Sequence, residues 1–347
     1  MTHHTLGQIA FLGSGETSLA GGRIFETLAR GLSKPVRIAL LETTAGFELN
    51  SSQVAGRVGE FLAARLQNYE PVIDVIPARR RGTEFGPDNP DILTPLLYAD
   101  MIFMGPGSPT YAVRQLTGTL AWDIVRARHR LGTRLVFASA ATIAIGACAL
   151  PVYEIYKVGE DVHTKPGLNL FADYGVTLSF IPHWNNAEGG ADLDTSRCFM
   201  GMDRFAEWCA MLPPENTTIG LDEHTGLIID FESETCTVSG VSSVSLVREC
   251  DPYIYPAGAH FPLSQLGEFH LPERPEDGIS PQAWEMVTQA PPLEDDTPPG
   301  PVLELAELRL AARARKDFAE SDRLREEILA LGWQVQDSRE GQKLIKA

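Results

Sequence analysis

Short apolar runs that stop at a glycine or polar residue, each followed by a helical period, narrow the folds open to this chain more than any other feature. The runs are QIAFLG (8–13), VRIALLE (36–42), PVIDVIPA (71–78), MIFMGPG (101–107) and TRLVFA (133–138). Between them GGRIFETLARGL (21–32), SSQVAGRVGEFLAARLQ (51–67), DILTPLLYAD (91–100), SPTYAVRQLTGT and LAWDIVRARHRLG carry helical spacing. Strands that are apolar throughout, rather than at alternate positions, are buried on both faces, so the pattern predicts an α/β doubly wound, mostly parallel sheet. VTLSFIPHW (176–184) and TTIGLDEHTG (217–226) read as further strands, and the segment from Gly226 to Glu249 as a β-hairpin region that finishes the domain.

Three segments follow from composition. Residues 1–250 form the α/β domain, 251–301 an extended linker rich in proline and acid, with partial packing on the domain as the alternative, and 302–347 a helical segment; no internal repeat is present. The formal net charge of −17 opposes general binding to nucleic acids or anionic membranes. Five cysteines (148, 198, 209, 236, 250) in no CxxC pattern favour a reducing compartment over a disulfide framework. No apolar run reaches the ~18–20 residues of a membrane span, and MTHHTLGQIAFLG lacks the features of a leader, so the expected location is the cytoplasm.

In an open parallel sheet, ligands bind at the carboxyl ends of the strands. Here those ends carry Gly13-Ser14-Gly15-Glu16, Glu42-Thr43-Thr44, Gly105-Pro106-Gly107-Ser108, Ser139, His183-Trp184-Asn185-Asn186 and Asp222-Glu223-His224. Within them stand Ser139, His183 and Glu223, the three components of nucleophilic catalysis. A serine hydroxyl needs a base to take its proton, and an imidazole needs a carboxylate to fix its tautomer. Asp222 is the alternative third member. Gly105 and Gly107 suit either an oxyanion hole or a plain turn before the next helix. Asn185 and Arg197 are candidate substrate contacts, Arg197 as the partner of a substrate carboxylate. GSGETS (13–18) matches a dinucleotide fingerprint only in part, and His183, Glu188 and Asp194 match no zinc spacing, so no cofactor is expected.

The motifs FLGSGE, MIFMGPGSPTYAVRQL, VFASAA, SFIPHW and GLDEHTGLI, in that order, resemble the cyanophycinase and aspartyl dipeptidase group of serine peptidases. The resemblance spans about residues 8–248. It implies a class I glutamine amidotransferase-like fold with flavodoxin-like layers. Ser139 would be the nucleophile, with His183 and Glu223 beside it, and the loop from Gly105 to Ser108 together with Ala140 would supply oxyanion donors. The group's G-x-S-A-G elbow reads Phe137-Ala138-Ser139-Ala140-Ala141 here, which predicts a remodelled elbow or one no longer used.

RLAARARKDFAESDRLREEILALGWQVQDSREGQ resembles the C-terminal helical tail of cysteinyl-tRNA synthetases, implying contact with tRNA through Arg313, Arg315, Lys316, Arg323 and Arg325. From the residues alone it is a small helical hairpin, with Leu305, Leu308, Phe318, Leu324, Ile328 and Leu331 as its apolar positions and Gly332 as a C-cap. The expected function is a serine hydrolase cleaving a peptide or amide bond of a small substrate. The alternative is a catalytically altered member of the fold that binds a small ligand, and RNA through the tail. Other partner expectations are a homodimer and no membrane.

Overall fold

The computed structural model describes residues 6–293, 298–338 and 341–346. It divides into two compact units, Met1–Ala290 and Pro291–Ala347.

In the first unit β1 (Ile9–Leu12), β2 (Arg37–Leu41), β3 (Val72–Ile76), β4 (Met101–Met104) and β5 (Arg134–Ala138) run parallel in the order β1-β5-β4-β2-β3. Helices α1 (Leu19–Ala29), α2 (Ser51–Arg65), α3 (Pro90–Leu93), α4 (Pro109–Leu116) and α5 (Leu120–Arg130) alternate with them, and α6 (Ala140–Ala144) follows β5. Successive strand residues feed opposite cores. Phe11, Leu41, Met104 and Phe137 face one cluster together with Ile124 and Val125 of α5. Leu12, Leu40, Phe103 and Val136 face the other, with Phe25 of α1 and Leu62 of α2. Both faces are therefore dry at β1, β2, β4 and β5, which is why those strands read as unbroken apolar runs, while edge strand β3 with Asp74 is only partly covered.

A two-residue ribbon, β6 (Cys148–Ala149) with β7 (Lys165–Pro166), precedes β8 (Leu178–Ile181), α7 (Gly201–Cys209) and β9 (Thr217–Leu221). Next come β10 (Thr225–Asp230), β11 (Thr235–Gly240) and β12 (Ser243–Arg248). β10 and β11 extend the main sheet antiparallel from β1, while β8 and β9 pair in parallel in a second sheet that β12 continues. The strand ends expected along one sheet edge thus come from two sheets.

Residues 251–290, expected as linker, are folded. β13 (Asp251–Pro256) pairs with β12, β14 (His260–Pro262) pairs with β11, and α8 (Pro281–Thr288) begins at a Ser280 cap. Their anchors are apolar side chains scattered among the prolines and acids: Phe261, Leu263, Leu266, Ile279 and Ala283 are buried.

In the second unit α9 (Gly300–Ala314) and α10 (Phe318–Ala330) form the expected helical hairpin, and Gly332 follows α10 at φ 81°. A β-hairpin of β15 (Trp333–Ser338) and β16 (Gly341–Lys346) completes it. Its core is Val302, Ala306, Ile328, Trp333 and Val335, so Leu308, Phe318 and Leu331, read as apolar-face positions, lie exposed instead. Buried Arg309 is held by both carboxylate oxygens of Asp337 and by Gln342. No helix among the described residues is long and apolar enough to cross a membrane.

Candidate active site

β5 ends at Ala138, and the chain turns into α6 through Ser139 at φ 51°, ψ −118°. A non-glycine residue avoids this region unless its surroundings impose it. Here the Ser139 N–H donates to the Leu12 carbonyl (3.1 Å), and the Thr142 N–H donates back to the Ser139 carbonyl (3.0 Å). The strand-to-helix elbow leaves the half-buried hydroxyl at the rim of a cavity of about 230 Å³.

The Phe137 side chain points away from this turn. Its side chain is buried in the core, 6.0 Å from the Phe11 ring, which in turn lies 4.4 Å from Phe180. The benzyl group belongs to the same apolar cluster as Phe11, Phe180 and the inner face of α5.

The Ser139 hydroxyl lies 3.0 Å from His183 Nε2, and His183 Nδ1 lies 3.0 Å from Glu223 Oε1. An ionised carboxylate can only accept, so Nδ1 carries the proton and Nε2 is left to accept from the serine. His183 follows β8 at φ 50°, its N–H donating to the Gly13 carbonyl (3.3 Å), so the end of β1 braces the loop after β8. Burial pushes the Glu223 carboxyl up, but hydrogen bonds from His183 and Asn186 outweigh it and hold the group below the usual carboxylate range. Asp222 points elsewhere, accepting from the Ser242 hydroxyl (2.6 Å) and the Ser243 N–H (3.1 Å). Of the two acids, Glu223 is the one that faces His183.

Gly107 and Ala140 line the same cavity. The Ala140 N–H, at the first turn of α6, is one of the donors a helix leaves without an internal partner. Gly107 sits at φ 142°, and a Cβ there would come within 2.0 Å of the Thr44 carbonyl oxygen, so no other residue fits. One of the expected donors drops out: the Ser108 N–H is taken by the Thr44 carbonyl (2.9 Å) while its hydroxyl caps α4. Gly105 is not among the residues lining this cavity, and its carbonyl accepts from Ala141 (3.3 Å).

The two expected substrate contacts are internal braces. The Arg197 guanidinium lies over the Trp184 ring at 3.9 Å and donates to the Trp184 carbonyl (3.0 Å). Trp184 itself lies against Gly220, where a Cβ would come within 2.4 Å of the indole. Asn185 accepts the Glu223 N–H (2.8 Å), fixing that loop. Its neighbour Asn186, buried, donates to the same Glu223 oxygen that faces His183 (3.1 Å). The polarity of HWNN marked this segment, but nothing in the residue types told which asparagine points inward.

Tyr153, Tyr156, Lys157, Glu188 and Cys198 also line the cavity. Burial pushes the Cys198 thiol up to about 12, so it stays protonated and unreactive beside Ser139. Asp194 caps the turn into α7 by accepting from the Ser196 and Met202 N–H groups. Among the described residues no cluster of His, Cys, Asp or Glu could hold a metal.

In the second unit Arg313 pairs with Asp337, Arg323 with Glu320 and Glu327, and Arg325 donates to the Val335 carbonyl. Arg315 and Lys316 lie in the turn between α9 and α10.

A peptidase from an acI-B1 Actinobacterium has a similar solved structure, with a TM-score of 0.59 and 19% identity, covering 75% of this chain and 98% of that one. A putative peptidase E protein from Listeria monocytogenes EGD-e gives a TM-score of 0.41 and 14% identity over 73% of this chain and 100% of that one. No family model and no curated protein matches the sequence. The first likeness establishes the fold, a mixed α/β architecture with a mostly parallel central sheet.

Proposed function

We propose that the chain is a serine hydrolase that cleaves a peptide or amide bond of a small substrate in a reducing compartment. The observation that carries this reading is the unbroken hydrogen-bond line from the Ser139 hydroxyl through His183 to Glu223, on an elbow whose serine is held at positive φ. The shared fold with a protein described as a peptidase supports it.

The substrate carbonyl lies against Ser139 with its oxygen toward the Ala140 and Gly107 N–H groups. His183 Nε2 takes the hydroxyl proton as Oγ bonds to the carbonyl carbon, and Glu223 stabilises the resulting imidazolium. The oxyanion is met by N–H groups already in place, which is where such sites gain most of their advantage. As the C–N bond breaks, His183 gives its proton to the leaving amine. A water molecule then attacks the acyl ester, losing its proton to His183, and the carboxylic acid leaves as Ser139 regains its hydrogen.

Wild type and Ser139→Ala treated with a fluorophosphonate active-site probe, and assayed on a panel of aspartyl and arginyl dipeptides, test the reading. Labelling and turnover should vanish together in the variant. Equal labelling of the two forms removes Ser139 from the mechanism.

A further inference from the structure

We infer that the substrate is a peptide longer than two residues, one flank of which crosses from the catalytic cavity into a neighbouring groove and seats an aromatic side chain there; this rests on the hydrolase reading above. The groove has a volume of about 770 Å³. It adjoins the catalytic cavity along consecutive residues: Gly107 and Pro109 line the cavity, and Ser108 lines the groove. Tyr153 lines both. The space beside Ser139, about 230 Å³, is smaller than the ~300–1,000 Å³ of ordinary ligand sites. A substrate confined to it would leave the larger adjoining space unused.

The walls indicate what lies there. Phe47 and Tyr153 are 51% and 42% exposed, although large apolar rings are normally covered. The Phe47 ring lies 5.2 Å from Tyr111, and the Tyr111 hydroxyl is fixed by donating to the Arg79 carbonyl (2.9 Å). Tyr153 leads into a π-helical turn, Glu154–Val158, an irregularity often found at functional sites. The groove's charges balance: Arg114 and Lys165 stand against Glu48 and Glu154, and Lys165 already pairs with Glu154 (3.4 Å). A wall without net charge does not select an acidic or a basic peptide. The half-exposed rings select an aromatic one, which gains contact area and ring stacking on burial.

The test digests two pools of randomised peptides, dipeptides and hexapeptides, with new termini read by mass spectrometry. Wild type should cleave the hexapeptides with the higher kcat/KM and enrich Phe, Tyr or Trp at a fixed position on one side of the cut. Phe47→Ala, at an exposed site, should lower the kcat/KM ratio of aromatic hexapeptide to dipeptide about tenfold. Cleavage confined to dipeptides, or no aromatic enrichment, overturns the proposal. If neither pool is cut, the hydrolase reading fails by itself, and the groove is tested by fluorescence anisotropy of a fluorescein-labelled Phe-bearing hexapeptide. Binding to wild type weakened about tenfold in Phe47→Ala then supports the groove, and binding indifferent to Phe47, or none, overturns it.

Discussion

Asn186 Nδ2 lies 3.1 Å from Glu223 Oε1, the same oxygen that receives the His183 Nδ1–H at 3.0 Å. One carboxylate oxygen is thus clamped between the His183 imidazole and a buried amide, and the ring inherits its orientation from both. Asn186→Ala removes one of the two hydrogen bonds that hold the Glu223 carboxyl low, so its pKa rises. The acid-side fall in kcat/KM should then begin at higher pH, and kcat/KM at pH 7 should drop about tenfold. A pH profile superimposable on that of wild type would show that the amide is only packing.

The adjacent acids differ in their partners, Glu223 facing His183 and Asp222 facing Ser242 and Ser243. Glu223→Gln keeps the shape but loses the charge that stabilises the imidazolium, and should cost roughly 10³–10⁴ in kcat. Asp222→Asn disturbs the Ser242 and Ser243 contacts and the electrostatic attraction to Arg197, none of which reaches His183, and its kcat should stay within about threefold of wild type. Steady-state kinetics of the pair decide the assignment, and the reverse ranking would move the acid role to Asp222.

Phe137 is a core residue, 1% exposed, and on the proposed reading the elbow works with it in place. Phe137→Ala opens a cavity beside Phe11 and should cost about 3–5 kcal/mol, read by urea denaturation. Labelling of Ser139 by the serine probe, per folded molecule and below the unfolding range, should persist. Loss of labelling with little loss of stability would mean that the benzyl group holds the serine in place.

Much of this arrangement is legible in the sequence because its signals are local. Apolar runs that stop at a glycine or a polar residue mark the strands, and Ser139, His183 and Glu223 stand where strands stop. What escapes is direction. Arg197, Cys198 and Phe199 all adopt positive φ without a glycine among them, and that reversal aims Arg197 at Trp184 rather than at the cavity. The proline- and acid-rich stretch after Cys250 reads as linker because its apolar anchors are sparse. Yet Tyr255 reaches Phe261 at 4.0 Å and ties β13 to β14, a contact that no local pattern announces. Phe137 shows the same limit: the pattern asks for a small residue near the elbow, and only the fold shows that its ring lies in the core beside Phe11.

His129 should govern acid stability. Its ring is buried, receiving the Tyr174 hydroxyl at Nδ1 (2.8 Å) and donating from Nε2 to the Gly7 carbonyl (2.8 Å), and burial lowers its pKa from 6.5 to about 4. Above pH 6.5 neither the folded nor the unfolded chain protonates the ring, and its contribution to stability is complete. Between 6.5 and about 4 the unfolded chain binds the proton and the folded one does not, so stability falls as pH falls, then levels below about 4. The accumulated loss is about 3 kcal/mol. Urea denaturation at pH 7, 6, 5 and 4 measures it, with His129→Asn as the form that has no such proton to bind. The variant should be less stable throughout but flatter by up to one proton across that window. Parallel curves for the two proteins would place the acid sensitivity elsewhere.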